Sequence, residues 1–316
     1  MRRTLRFAAA LIPLIAVSAG AAAPAAVVPG VRLLRGGFAP GAQPDGNTVI
    51  IDAPGGLVVI DTGRHAAHTQ AILDLAKNAG RPIVAVVNTH WHLDHIGGNA
   101  AIRAAHPEVR VYASGALEQA RAGFLASYRR QLEEMLRSDP PAGQKSAFEA
   151  EIRLIDQGAK LAPDVVIERS GSVSFAGAPF RLGLEAGAVT AGDVWLLDES
   201  RGVLVAGDLI TLPAPFLDTA CPAGWKKSLD RLAALEFDLV IPGHGAPLTR
   251  TQFEIYRKAF GSLLDCAGAK EEKERCVDAW VAAVAPLEPG DEAFTRTLMR
   301  YYVDLLRGDA VKTRCP

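Results

Sequence analysis

Apolar positions along this chain follow two rhythms. Short β-branched runs come first: "NTVIID" (47–52) and "GLVVIDTG" (56–63) flank the turn "APG" and predict adjacent antiparallel strands. Residues 66–79 place their apolar positions at helical spacing and stop at Gly80, which predicts an amphipathic helix. "PIVAVV" (82–87) is apolar throughout, as a strand covered on both faces would be. A helix is expected from about Gly98 and a strand at "VRVYA" (109–113). Residues 115–157 predict a helical insertion, two helices broken at "SDPPAGQ", with Leu117, Phe124, Tyr128, Leu132 and Leu136 on one stripe that serves packing or caps a substrate. From 164 onward "DVVIE", "GSVSFAG", "PFRLGLE", "DVWLLDE" and "GVLVAGD" alternate with Gly and polar turns and predict an antiparallel meander. A helix over 224–236 turns Leu229, Leu232 and Leu235 inward, "FDLVIPGHG" is a last strand entering a Gly-rich loop, and 251–316 is a helical C-terminal extension. The pattern is α/β: two β-rich halves over about 27–250, each carrying helices, in one packed unit.

The N-terminus breaks this pattern. "MRRTLRF" is cationic, "AAALIPLIAV" is apolar but too short to span a bilayer, and "SAGAAAPAA" supplies small residues for cleavage, so 1–26 is expected to be a signal peptide. The following "APAAVVPG" reads as a linker. Cleavage would remove three arginines and no acid, taking the formal charge from −1 to −4. With 49% hydrophobic residues the chain has ample core, and with 22% charged residues and no basic run it does not point to nucleic acid. No later segment is apolar enough to span a membrane, so a periplasmic or secreted protein is expected. In an oxidising compartment the four cysteines favour two disulfides: Cys266 and Cys276 flank the turn-like "AGAKEEKER", and Cys221–Cys315 follows by elimination, with buried free thiols as the alternative.

The chemistry is concentrated in "NTHWHLDHIGGN" (88–99). His90 and His92, two apart on an extended chain, can reach one point beyond a strand end, with Trp91 turned away into packing. Asp94 and His95 follow where Gly97 and Gly98 let the chain turn, and can address a second point close by. Three more apolar strands end in the same donor types, at Asp61, Asp208 and His244, beside glycines that let backbone crowd an ion. Neutral nitrogen and anionic oxygen donors around one small space suit Zn²⁺.

These motifs resemble the metallo-β-lactamase superfamily from about 45 to 250. "VVIDTG" is similar to its first motif, "THWHLDH" to its H-x-H-x-D-H motif, "AGDLI" to the run with its bridging aspartate and "IPGHG" to the run with its last histidine. The resemblance implies a four-layer αβ/βα sandwich with one or two zinc ions at the sheet edge. It implies His90 and His92 on a first metal, Asp94, His95 and His244 on a second, Asp208 between them, and Asp61 orienting a ligand imidazole. The family's third motif places another histidine on the first metal. Here "LEAGAVTAGDVWL" (184–196) keeps Thr190, Gly192 and Asp193 but has Gly187, Ala188 and Val189 near that position. Water can fill the gap, or a single zinc can sit at Asp94, His95, Asp208 and His244, or His65, His68 or Glu185 can swing in as a substitute ligand.

The resemblance implies hydrolysis, with metal lowering the pKa of bound water towards about 7 and Asp94 or Asp208 orienting it or taking its proton. An aspartate at 208 resembles the glyoxalase-II-like, lactonase-like and esterase-like branches rather than the β-lactam-cleaving ones, so an ester, thioester or lactone is expected. The exported chain with a helical tail is similar to periplasmic hydrolases found beside sulfur-oxidation or quinoprotein systems. The alternative is a non-catalytic periplasmic metal- or partner-binding protein. "LPAPFLDTACPAGW" (212–225) is expected at the pocket rim, with Phe216 and Trp225 as substrate contacts or packing residues.

Overall fold

The computed structural model describes residues 24–37, 43–312, 314 and 315. All but the last three residues of the expected signal peptide lie outside the described residues. The first sheet runs β1 (Ala25–Val28), β2 (Val31–Leu34), β3 (Thr48–Ala53), β4 (Gly56–Ile60), β5 (Ile83–Val87), β6 (Arg110–Ser114) and β7 (Val165–Ile167), side by side in that order. The second holds β8 (Gly171–Phe175), β9 (Ala178–Glu185), β10 (Asp193–Asp198), β11 (Val203–Thr211), β12 (Leu239–His244) and β13 (Leu248–Thr249), again in sequence order.

Alternation along β4 shows why the central strands read as continuous apolar runs. Val58 and Ile60 face the second sheet, while Leu57 and Val59 face the opposite way, onto α1 (Ala66–Ala79). Both faces are covered, so no position is left for a polar residue. The inner layer joins Val49, Ile51, Val58 and Val87 to Phe180, Leu196, Val205 and Ile241. After β5 come the single turn α2 (Leu93–Ile96) and α3 (Asn99–Ala105), and Ile102 of α3 joins Ile72 of α1 in the outer layer of the first sheet. The insertion is α4 (Ala116–Ala120), a π turn at Arg121–Leu125, α5 (Ala126–Arg137) and α6 (Ala142–Ile155). On the far side of the second sheet lie α7 (Pro222–Leu232), α8 (Arg250–Gly268), α9 (Lys273–Val284) and α10 (Glu292–Arg307), packed through Trp225, Phe253, Tyr256, Phe260 and Trp280. The layers are helix, sheet, sheet, helix. No described helix is long and apolar enough to cross a membrane.

Two strand expectations need correction. "DVVIE" does not open the meander: β7 pairs in parallel with β6 and closes the first sheet. Only β8 to β11 form the antiparallel run, and β12 returns parallel to β11. Nor is "APAAVVPG" a linker, because β1 forms a hairpin with β2 across the turn at Gly30. A four-residue strand, half exposed, carries too little periodicity to be read locally. Both cysteine pairs are disulfide-bonded, Cys266–Cys276 and Cys221–Cys315. The second ties the end of the chain to the loop before α7.

Candidate metal centre

The parallel strands β4, β5, β11 and β12 all deliver their C-terminal ends to one edge of the sandwich, where open α/β sheets gather their functional groups. Asp61 follows β4 in a left-handed conformation (φ 61°), a strained choice for a residue with a Cβ. His90, His92, Asp94 and His95 follow β5, the last two on α2. Asp208 lies within β11, where the pairing with β12 slips around Gly207 and the bulge re-aims the side chain. His244 ends β12. The neighbouring Gly243 leaves the room this requires, since a Cβ there would stand 2.0 Å from Asp208 Oδ1. From the first sheet side, Asn47 donates to the carbonyls of Pro242 and Gly245, both at 2.9 Å, and the adjacent Gly46 N–H donates to the Asp94 carbonyl at 3.0 Å, tying the His244 loop to the segment that carries Asp94.

One half of the centre is built around His95, which is fully buried. Its Nδ1 donates to Asp61 Oδ2 at 2.7 Å, so Nε2 points into the site. That Nε2 lies 3.3 Å from Asp208 Oδ1 and 3.6 Å from Asp94 Oδ2, and His244 Nε2 lies 3.0 Å from Asp94 Oδ2 and 3.6 Å from Asp208 Oδ1. Neither His95 Nε2 nor Asp208 Oδ1 has a hydrogen-bond partner, although both are buried. Groups so placed normally find one. Burial pushes the His95 imidazole towards losing its proton, yet Asp208, Asp61 and Asp94 outweigh it and hold its pKa well above the usual range. Burial likewise pushes Asp208 up, and the imidazoles of His244, His95 and His90 outweigh it and hold the carboxyl below its ordinary value. The charge balance of this pocket asks for a cation, and its four donors fit a metal ion: Asp94, His95 and His244 offer atoms within 4.8 Å of one another, with Asp208 beside them.

The other half follows from hydrogen-bond accounting. Thr89 Oγ1 donates to Asp61 Oδ2 at 2.7 Å, so it can only accept from His90 Nδ1, 3.0 Å away. Thr219 Oγ1 donates to the Val189 carbonyl at 3.0 Å, so it accepts from His92 Nε2, 2.9 Å away. Both ring protons are thereby placed on the outer nitrogens, a tautomer assignment made from the network. His90 Nε2 and His92 Nδ1 then face each other across 2.8 Å with a lone pair each. Burial drives both imidazoles towards the neutral form, His92 to about 4. Two neutral rings in this arrangement repel unless a cation lies against both lone pairs; Asp208 Oδ2 lies 3.7 Å from His90 Nε2, and His90, His95 and Asp208 offer donor atoms within 4.8 Å of one another.

No imidazole or carboxylate stands at Gly187, Ala188 or Val189, where the resemblance places the third histidine. Val189 is fully buried, and its carbonyl anchors Thr219 on the rim loop. None of the expected substitutes reaches the site. His65 is half exposed and pairs with Asp45, His68 is held by Thr48 at 2.8 Å, and Glu185 on β9 is taken by Arg231, Ser228 and Trp195 Nε1. Trp225 is also not at the rim: it is fully buried and donates to the Leu209 carbonyl. Phe216 does reach the site, its ring 5.1 Å from that of His92. Trp91 packs under the insertion, with Phe124 5.5 Å away, and Phe124 is 38% exposed. Two further groups escaped sequence reasoning: Thr219 acts on His92 across 127 positions, and Arg64, though beside the Asp61 loop, is a cation and not a metal-donor type.

A helix–sheet–sheet–helix sandwich with a buried Asp/His cluster across its edge defines a metal-site fold of the metallo-β-lactamase kind. The chain belongs to the metallo-β-lactamase superfamily, whose family model matches residues 43–244. It is 28% identical over 231 residues to a linear primary-alkylsulfatase of Pseudomonas sp., a match covering 63% of this chain and 41% of that one. It is 42% identical over 48 residues to a hydroxyacylglutathione hydrolase of Gloeobacter violaceus, covering 15% of this chain and 19% of that one. The matched regions thus span less than half the length of these curated relatives. Among solved structures, a stereoselective inverting sec-alkylsulfatase of Pseudomonas sp. superposes with TM-score 0.59 at 21% identity, over 90% of this chain and 50% of that one. A metallo-β-lactamase of Pontibacter korlensis superposes with TM-score 0.54 at 21% identity, over 73% and 94%.

Asp61 serves both halves of the centre, holding His95 directly and His90 through Thr89. Asp61→Ala is expected to weaken metal binding about 10–100-fold, the usual cost of removing a carboxylate that orients ligand imidazoles. Chelator competition measures this, and unchanged affinity in both halves would contradict the assignment.

Proposed function

We propose that the protein is an exported, zinc-dependent hydrolase of ester-like bonds with two unequal metal sites. The observation that carries this reading is the pair of facing lone pairs on His90 and His92 beside the orphaned His95 Nε2 and Asp208 Oδ1. Asp94, His95, His244 and Asp208 would form a closed four-donor site. His90, His92 and Asp208 would form an open one with three protein donors, the arrangement that leaves a position for water or substrate. Imidazole with carboxylate suits zinc. When bound, the metal supplies Lewis acidity and lowers the pKa of water towards about 7.

The chain's own residues do the rest. Asp208 presents one oxygen to each half and keeps the two sites in register. Asp94 stands ready to accept a proton or orient water beside His244. Thr219 fixes the ring of His92, and Phe216 lies against that ring from the rim loop. The Phe216 ring favours a substrate with an apolar body attached to the ester: a carboxylic ester, a thioester or lactone, or an alkyl sulfate. The names of the relatives, alkylsulfatases and hydroxyacylglutathione hydrolases, support this range. The two disulfides support export, because such bonds persist in oxidising compartments such as the periplasm.

Zinc titration of the purified protein is expected to show one tightly retained ion per chain and a second that a mild chelator removes first. Two ions of equal affinity would contradict the unequal sites. A fully loaded protein inert towards esters, thioesters, lactones and alkyl sulfates would favour a metal- or partner-binding role instead.

A further inference from the structure

Behind Asp94, away from the oxygen that faces His244 and His95, stands a buried chain of charge that reaches the helical insertion. Arg64, directly after the Asp61 loop, has a side chain only 9% exposed. Its Nη2 lies 3.5 Å from Asp94 Oδ1, its Nη1 pairs with Glu151, and its Nε donates to the Pro44 carbonyl. Glu151 is itself 6% exposed, sits on α6, and accepts at 3.3 Å from the Tyr128 hydroxyl of α5. A guanidinium is thus shared between a carboxylate of the insertion and one of the residues that could hold a metal ion.

A buried guanidinium must have a counter-ion. With Glu151 in place the closer pairing is away from the metal, and Asp94 keeps Oδ2 turned to His244 at 3.0 Å. Without the charge on Glu151, Asp94 is the nearest remaining carboxylate, and a fork of donors matches carboxylate geometry well. We propose that Glu151 is a positioning residue: it occupies Arg64 so that Asp94 remains available to the metal, and through it the insertion sets the affinity of the Asp94–His95–His244 site. This rests on the metal reading proposed above.

The test is zinc affinity by chelator competition on the full chain, with kcat and KM read separately on whichever ester responds. Glu151→Gln is expected to weaken the tight site about 10–100-fold, lowering kcat at limiting zinc while leaving KM near its original value. The double variant Glu151→Gln with Arg64→Met, which removes the competitor too, is expected to recover most of that affinity. Glu151→Asp, keeping the charge on a shorter arm, should fall between wild type and Glu151→Gln, and it serves if the amide variant folds poorly. A folded Glu151→Gln protein with unchanged affinity overturns the proposal. So does a double variant as weak as the single one, since the loss would then come from packing. A wild-type protein that holds no ion overturns the metal reading and this proposal with it, whereas a metal-replete wild type with an equally replete Glu151→Gln overturns this proposal alone.

Discussion

Asp208→Asn is expected to lower turnover by a factor on the order of 10³ or more, with metal content falling alongside. The substitution keeps the shape of the side chain but leaves one acceptor oxygen where there were two. In the structure Oδ1 faces His95 and His244 while Oδ2 faces His90. An amide can serve one half only, and its NH₂ group would then press against the donors of the other. The site residues are buried, so solvent screens the mismatch little. Elemental analysis with turnover on a responsive ester reads both effects, and a variant with full zinc content and undiminished rate would refute the shared role of this carboxylate.

The largest effect on stability is expected from the Cys221–Cys315 bond. It closes a loop with a sequence separation of 94, against 10 for Cys266–Cys276. By the chain-entropy argument a loop of that size is worth up to about 4.7 kcal/mol, with about 2–5 kcal/mol typically lost when a native disulfide is removed. Cys315→Ser should therefore lower the unfolding free energy in urea by about 2–5 kcal/mol, and removal of the short-loop pair by less. Equal losses would contradict this ordering. The long-loop bond does not act alone on the rim: Arg314 donates to the Leu217 carbonyl, Tyr301 to Asp218, and Trp280 to the Pro213 carbonyl. The C-terminal helices thus grip the loop that carries Phe216 and Thr219. Loosening it should also free His92 and weaken the open metal site before the closed one.

The centre was legible to the extent that its signals are local. His90, His92, Asp94 and His95 lie within one segment, and Asp61, Asp208 and His244 each end an apolar strand beside glycine, so residue type and position coincide. The sheet pattern was legible where strands were long and covered on both faces. It failed at β1, which is short and partly exposed, and at β7, whose three residues do not reveal which sheet they join. Thr219 was hidden for a different reason. Nothing in "FLDTACP" announces a partner for His92, which lies 127 positions away, and only the folded chain brings the Val189 carbonyl up to fix the direction of its hydroxyl. The same holds for Glu151, 87 positions from Arg64, on a helix read from sequence only as part of the insertion. The missing histidine invited a search for a replacement among residues of the right type. His65, His68 and Glu185 were plausible by chemistry, but each has a nearer partner of its own.

The placement of the donors has a mechanical side. His90, His92, Asp94 and His95 hang from the end of the first sheet, while Asp208 and His244 belong to the second. An ion shared among them would be a clasp across the open edge of the sandwich, drawing together two sheets joined elsewhere by apolar contact and by the hydrogen bonds of Asn47. At a free metal concentration one hundred times the dissociation constant such a clasp would add about 2.7 kcal/mol to the folded state. Supply of metal would then govern how long the folded protein endures as well as how fast it works.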